Sequence, residues 1–133
     1  MNQSLEVNKC CDNYILDTII RIDRLQKEAI INTDSNCVSC NESLIDFTNN
    51  TIPISFIMRC GGYLTANIGI STDTTVYFRI EAIRCNKYVT LRLLEVTEDS
   101  TLVATNRTLT LDADCICAIQ CNPAIFVTPC NMV

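Results

Sequence analysis

The 133-residue chain contains no histidine and no tryptophan, and it has only three glycines and three prolines. Without histidine, the commonest general base and the imidazole ligand of metal sites are both missing. Neither a phosphate-binding loop nor a nucleophile elbow is present, and the only double glycine, Gly61-Gly62, is interpreted as a turn. We therefore expect a protein that is not an enzyme and that carries no cofactor.

Long apolar runs and runs of basic residues are also lacking. No apolar segment approaches the ~18 residues of a membrane-spanning helix, so we expect no membrane span. The net charge is −5 and no basic run is longer than a pair, which makes nucleic acid and anionic membranes poor partners. Apolar residues make up 48% and charged residues 19%, a balance that argues against disorder and favours packing against other subunits.

Cysteine, in contrast, is abundant. Ten cysteines in a chain of this length are typical of an oxidising compartment or of metal binding. Residues 1–9 contain no apolar signal core, so we expect synthesis in a cytosol followed by later cross-linking, or zinc binding. A domain of this size can bury a core without disulfides, so the thiols are not needed merely for folding.

The chain divides into a polar arm, a helix, a loop and a run of strands. We expect residues 1–11 to form a flexible cysteine-bearing arm and 12–133 to form a single domain. Apolar residues step by three and four through 12–31, where Asp12 can cap the start, and this spacing predicts a helix. The polar segment 32–51 is predicted to be a loop that is long for a compact domain.

From residue 52 to residue 128 the apolar pattern has a period of two, which is typical of strands with one buried face. One such strand is expected through 64–70, and another near residue 80 turns Arg79 outward. A third strand, near residue 90, turns Arg92 outward. We therefore predict a mainly β fold, with an N-terminal helix followed by an antiparallel, jelly-roll-like β-sandwich of six to eight strands.

The stretch 109–121 alternates without a break and places Cys115, Cys117 and Cys121 on the same face as two leucines. A regular strand would bury the three thiols as small hydrophobes, whereas a bulge between Cys117 and Cys121 would turn one of them outward. We assign these three cysteines to local disulfides or buried free thiols, and we place Cys37 and Cys40 in the same group.

The other cysteines lie in predicted turns or near the chain ends, where a thiol can reach another molecule. The adjacent Cys10 and Cys11 resist bonding to each other for geometric reasons, so they more easily reach two different partners. An ordinary disulfide within the domain is the alternative for this group. The candidates for disulfides between subunits are Cys10, Cys11, Cys60, Cys85 and Cys130.

Zinc binding is the rival chemistry. Cys37 and Cys40 form a CxxC pair, and the cysteines of 115–121 could complete four thiolates, but the expected second CxxC is missing. A thioredoxin-like role is weaker still, because that motif belongs at a helix start after a strand and this one lies in a polar loop. We therefore expect no metal site and keep a small zinc-binding or redox module as the alternative of another class.

The run Cys-Ile-Cys-Ala-Ile-Gln-Cys at 115–121 closely resembles the C-terminal cysteine motif of the spore coat protein Y/Z family of spore-forming Bacillales. That family includes their exosporium shell protein. Other segments are similar in the same order and cover most of residues 10–127. They are a cysteine cluster followed by Asp12, then Cys37/Cys40, Thr51-Ile52-Pro53, Gly61-Gly62, and a Phe78-Arg79 strand leading to Cys85 and to 90–94.

The resemblance implies a structural protein of the endospore surface, in the outer coat or exosporium. Members of this family are made in the mother-cell cytoplasm without export, and they assemble into two-dimensional lattices locked by disulfides. The implied partners are copies of the same chain and other coat or exosporium proteins. The chain departs from the family in lacking the usual His/Lys-rich tail.

A second resemblance concerns the N-terminal arm. Val7 followed closely by Cys10 and Cys11 is similar to the connector arm of endospore appendage subunits, where the arm bonds covalently to the next subunit. A subunit or anchor of a disulfide-linked appendage fibre is therefore the alternative function.

Overall fold

The computed structural model describes residues 14–29, 49–70 and 72–127. Within them one helix, α1 (14–29), precedes the strands, and no helix there is both long and apolar enough to cross a membrane. The strands are β1 (Ile54–Met58), β2 (Ala66–Asn67), β3 (Thr74–Thr75), β4 (Tyr77–Arg84), β5 (Tyr88–Val96), β6 (Leu102–Asp112) and β7 (Ile116–Cys121). The predicted mainly β fold with an N-terminal helix is confirmed. The arm 1–11, Asp12, most of the loop 32–51, and Cys37, Cys40 and Cys130 lie outside the described residues.

Five strands form one antiparallel sheet in the order β6-β5-β4-β1-β7, and β2 pairs with β3 separately. β6 and β7 are thus opposite edges of the larger sheet, yet only the 3₁₀ turn Ala113–Cys115 separates them along the chain. Four strand spacings in a flat sheet would amount to about 19 Å. The chain from Asp112 to Ile116 spans at most about 14 Å. The sheet is therefore strongly curled, and its two edges approach each other at this turn.

The core lies between one face of this sheet and α1. Ile19 and Ile22 of the helix are buried against apolar residues of β1, β4 and β5, as the spacing of the apolar positions predicts. Phe56 and Phe78 lie at its centre, with their ring centroids 6.4 Å apart. The strand predicted through 64–70 is reduced to β2, because its partner β3 ends at Thr75, just before the chain enters β4.

β1 and β4 pair directly at only one position, where Ile54 lies opposite Phe78. Beyond that pair, the buried side chain of Gln26 in α1 links β4 to Ile52, which lies just before β1. Its Nε2 donates to the Ile80 carbonyl at 2.8 Å, and its Oε1 accepts from the Ile52 backbone N–H at 2.9 Å. One side-chain amide thereby serves two backbone groups, one buried and one partly buried, that a regular ladder would have paired with each other.

The other face of the sheet carries a buried ionic cluster. The prediction that Arg79 and Arg92 face outward is wrong, since Arg79 is 3% exposed and Arg92 is 8% exposed. They lie opposite each other on β4 and β5, and Glu81 Oε2 is 2.7 Å from Arg79 Nη1 and 3.3 Å from Arg92 Nε. Asn50 and Thr51, which precede β1, accept further hydrogen bonds from Arg79. The period-two pattern alone would place both arginines in solvent, but these contacts keep them buried.

Candidate functional site

The candidate site is the set of thiols on the surface of the domain. The described part of the chain contains five cysteines and all of them are exposed: Cys60, Cys85, Cys115, Cys117 and Cys121. The exposed turns predicted at Cys60 and Cys85 are present, whereas the disulfides between subunits stay a prediction. For Cys115, Cys117 and Cys121, which the sequence assigns to local disulfides or buried free thiols, burial is wrong, and local disulfides stay a prediction.

The 3₁₀ turn is the first reason for this exposure. Asp112 caps the turn, because its side chain accepts a hydrogen bond from the Asp114 backbone N–H at 2.9 Å. The turn changes which positions face the core, so Ile116 is 2% exposed while the cysteine on either side of it is exposed. The signal in the sequence was the Asp112-Ala113-Asp114 run, since aspartate favours caps and turns over strand interiors.

A bulge in β7 is the second reason. Met58 pairs with Ile116, and the preceding residue Ile57 pairs with Ala118. Cys117 is therefore an extra residue that pairs with no residue of β1. Beyond the bulge the register is regular as far as Cys121, which ends the strand and is exposed there.

Two cysteine-bearing turns contact the 3₁₀ turn through backbone hydrogen bonds. The Arg59 backbone N–H donates to the Cys115 carbonyl at 2.9 Å, and the Ala113 N–H donates to the Lys87 carbonyl at 2.8 Å. The curl of the sheet permits these contacts, because Arg59 follows β1 while Lys87 lies between β4 and β5. The thiol corner, as we name this region, contains Cys60, Cys85 and Cys115.

Cys85 occupies the tip of the hairpin between β4 and β5. The Lys87 N–H donates to the Arg84 carbonyl at 3.0 Å, and the two residues between them, Cys85 and Asn86, have φ of 55° and 49°. Positive φ at both central positions is the type I′ turn, which glycine and asparagine favour. Cysteine in this conformation costs on the order of 1 kcal/mol. The hairpin therefore carries a cysteine at a position where glycine or asparagine would be less strained.

The thiol corner is surrounded by charges of both signs. Arg59 Nε donates to the Asp114 carbonyl, and Lys87 Nζ lies 3.7 Å from Asp112 Oδ2. The pKa of Lys87 is raised above its ordinary value, first by the Tyr88 phenolate and then by the Asp112 carboxylate. The mixture of positive and negative charges lets a similar surface approach without strong repulsion.

Apolar surface is also exposed in the single chain. Ile70, at the turn between β2 and β3, is 99% exposed. A groove with a volume of ≈ 670 Å³ lies elsewhere, between β4, the β5–β6 hairpin and the segment after β7. Phe126, which lines it, is 42% exposed. These features leave apolar area available for a further contact.

No group of three or more Cys, Asp or Glu side chains suited to a metal ion occurs in residues 14–29, 49–70 and 72–127. The zinc set considered from the sequence needs Cys37 and Cys40, which lie outside those ranges. The zinc-binding alternative therefore depends on residues outside the ranges that the structure describes.

Comparison of the chain with models of known protein families, with curated proteins and with solved structures found no match. Its function is therefore inferred from its residues and its fold alone.

Proposed function

We propose that this protein is a structural building block of the bacterial endospore surface, in the outer coat or exosporium. In this role it self-assembles into a two-dimensional lattice that disulfides cross-link, alone and with other coat or exosporium proteins. It is made in the mother-cell cytoplasm and oxidised after that cell lyses. The observation that carries the proposal is that all five described cysteines are exposed. Thiols that served only the core would be buried, as unpaired cysteines usually are.

The distribution of these thiols supports an extended assembly. The thiol corner adjoins the 3₁₀ turn, whereas Cys121 lies at the far end of β7. A subunit that bonds to several neighbours needs separate contact surfaces, because a single surface closes a dimer and stops. The exposed apolar groove and the edges of the sheet offer non-covalent contacts that would position the thiols before oxidation.

We also propose that the domain is a jelly-roll-like β-sandwich. Its support is that Leu64, Ala66 and Ile68, in and around β2, pack against the core of the five-stranded sheet. The smaller sheet thus contributes to the same core as the larger one.

A gel comparison tests the function. Purified assemblies run without reductant will give species much larger than 14.9 kDa, and reductant will convert them to monomer, because disulfides hold the subunits together. Electron microscopy of the same sample will show sheets. A variant with serine at all five exposed cysteines, from Cys60 to Cys121, is the matched control and will show reduced cross-linking.

Three outcomes would contradict the lattice. Monomers in the absence of reductant would remove the cross-linking. Fibres instead of sheets would favour the appendage subunit or anchor. About one zinc per chain in protein purified under reducing conditions would favour the zinc-binding module, in which thiolates are metal ligands.

Ile70 offers a test of non-covalent association. We expect Ile70→Asp to weaken self-association of the reduced protein several-fold, because a carboxylate at a contact formed by an apolar side chain must lose its water. The unfolding free energy should change by less than about 0.5 kcal/mol, since the side chain is exposed. Sedimentation velocity under reductant and urea unfolding measure the two effects.

Thr72→Asp is the control for Ile70→Asp, because Thr72 is an exposed polar residue in the same turn. It adds the same charge without removing an apolar side chain. Equal association of wild type, Ile70→Asp and Thr72→Asp would show that this turn forms no contact between subunits.

A further inference from the structure

The outer edge of β7 has backbone groups that no described strand pairs. β7 is the last strand in the sheet order, and β1 is its neighbour on the other side. The Asn122 N–H donates to the Pro53 carbonyl at 2.9 Å, so Asn122 points its backbone groups toward the β1 side. Because successive residues point to opposite sides, Ile119 and Cys121 direct their N–H and C=O groups to the open edge.

This edge lacks most of the features that keep edge strands apart. β7 reads Ile-Cys-Ala-Ile-Gln-Cys and contains neither a charged residue nor a proline. Edge strands are usually protected by lysine, proline, short length or a bulge. Here the strand is six residues long, and its bulge is confined to the Cys117 end. A neutral edge does not repel a second copy of itself.

The two cysteines of β7 are placed symmetrically about Ile119. Cys117 and Cys121 each lie two residues from Ile119. When two copies of β7 pair antiparallel about a two-fold axis at Ile119, Cys121 of each copy comes level with Cys117, the bulge residue, of the other. Because Cys121 directs its backbone groups to the open edge, it would belong to a hydrogen-bonded pair, in which Cα atoms lie about 5.5 Å apart in a regular ladder. Disulfides span about 4.4–6.8 Å between Cα atoms.

We propose that β7 is the interface of a two-fold dimer of this chain, in which two Cys117–Cys121 disulfides join the paired edges. The inference rests on the proposed function, because it assumes that exposed thiols link copies of the chain. Beyond that function, it specifies β7 as the contact surface, a two-fold axis as the symmetry, and Cys117 and Cys121 as each other's partners. The five-stranded sheets of the two copies become continuous across the axis, and the thiol corner stays free for other contacts in a lattice.

The oxidation needs an acceptor, which we specify as a small disulfide such as oxidised glutathione. The thiolate of Cys117 attacks a sulfur of that disulfide and releases one small thiolate, which takes up the proton. The thiolate of Cys121 in the other copy then attacks the mixed disulfide and releases the second. Each cross-link therefore consumes two protein thiols and one small disulfide, and it yields one protein disulfide and two small thiols.

Complementation between two single variants tests this pairing. The parent protein keeps only Cys117 and Cys121, with serine at every other cysteine, and is oxidised with glutathione disulfide. The parent will form covalent dimers. Cys117→Ser alone and Cys121→Ser alone will each lose the dimer, since each substitution removes both bonds of the symmetric pair. A mixture of the two variants, one carrying a size tag, will recover a covalent heterodimer with one disulfide.

Two results would overturn the β7 dimer. Dimers of either single variant alone would require like cysteines to pair, which this register forbids. A monomeric mixture would exclude the interface, provided that circular dichroism shows both variants to be folded. If the wild-type chain still cross-links in that case, the proposed function stands and only the β7 dimer fails. If the wild-type chain does not cross-link either, the proposed function itself is contradicted.

Discussion

Glu81→Gln will lower the free energy of unfolding by about 3–5 kcal/mol, the usual cost of breaking a buried ion pair from one side. The carboxylate of Glu81 lies between Arg79 and Arg92, whose side chains are 4% and 10% exposed. Glutamine keeps the shape of glutamate but removes the negative charge that contacts both Arg79 and Arg92. Two buried guanidinium groups on neighbouring strands then repel each other with little water to screen them.

Urea unfolding of the reduced protein measures this loss. Glu95→Gln is the matched control, because Glu95 is an exposed residue of β5. It should change the unfolding free energy by less than about 0.5 kcal/mol. The double variant Glu81→Gln/Arg92→Met should recover part of the loss, since one of the two repelling charges is removed. A single variant within about 1 kcal/mol of wild type would show that Glu81 is not required to hold the arginines.

Gln26→Leu will destabilise the domain by roughly 1–3 kcal/mol, the usual cost of leaving one buried polar group without a hydrogen bond. Leucine suits the apolar stripe of α1 better than glutamine does, and judged from helix amphipathicity alone the change should be neutral or stabilising. The partly buried Ile52 N–H loses its partner, however, and the buried Ile80 carbonyl keeps only a longer hydrogen bond of 3.4 Å from Arg79 Nη1. A buried group left unsatisfied costs about 1–3 kcal/mol. The apolar gain of leucine offsets only a part of that cost.

Lys27→Leu is the control for Gln26→Leu, because it introduces the same residue at the next, exposed position of α1. It removes the surface ion pair with Asp23, which contributes about 0.3–0.5 kcal/mol. Thermal or urea unfolding of both variants separates loss of the Gln26 link from any general effect of leucine in the helix. Equal stability of the two variants would mean that the link between β4 and Ile52 contributes nothing.

Much of the secondary structure could be predicted from local patterns. The three-and-four spacing of Ile15, Ile19 and Ile22 marks a helix face, and the alternation around Phe56 and Phe78 marks strands. Both depend only on backbone geometry, which repeats every 3.6 or every 2 residues. The turn at Gly61 and Gly62 was equally readable, since φ values of 99° and 81° there suit glycine and strain other residues.

The candidate site was predicted less completely. Cys60 and Cys85 fall in turns that short-range signals mark, so their exposure could be foreseen. For Cys117 the sequence left a regular strand and a bulge as alternatives, because a bulge is set by the register against β1 and not by the residues of β7 alone. Burial of Arg79 likewise depends on Asn50 and Thr51, which are separated from it by more than twenty residues.

The sequence by itself determined the composition, the abundance of cysteine, the helix and the period-two strands. The tertiary structure decided which thiols face solvent. The thiols in 109–121, which the alternation of that stretch would bury, are exposed. The physical reason is that alternation defines two faces only while a strand stays regular. The cap at Asp112 and the bulge at Cys117 break that regularity, and both serve a curled sheet in which β6 leads directly into β7.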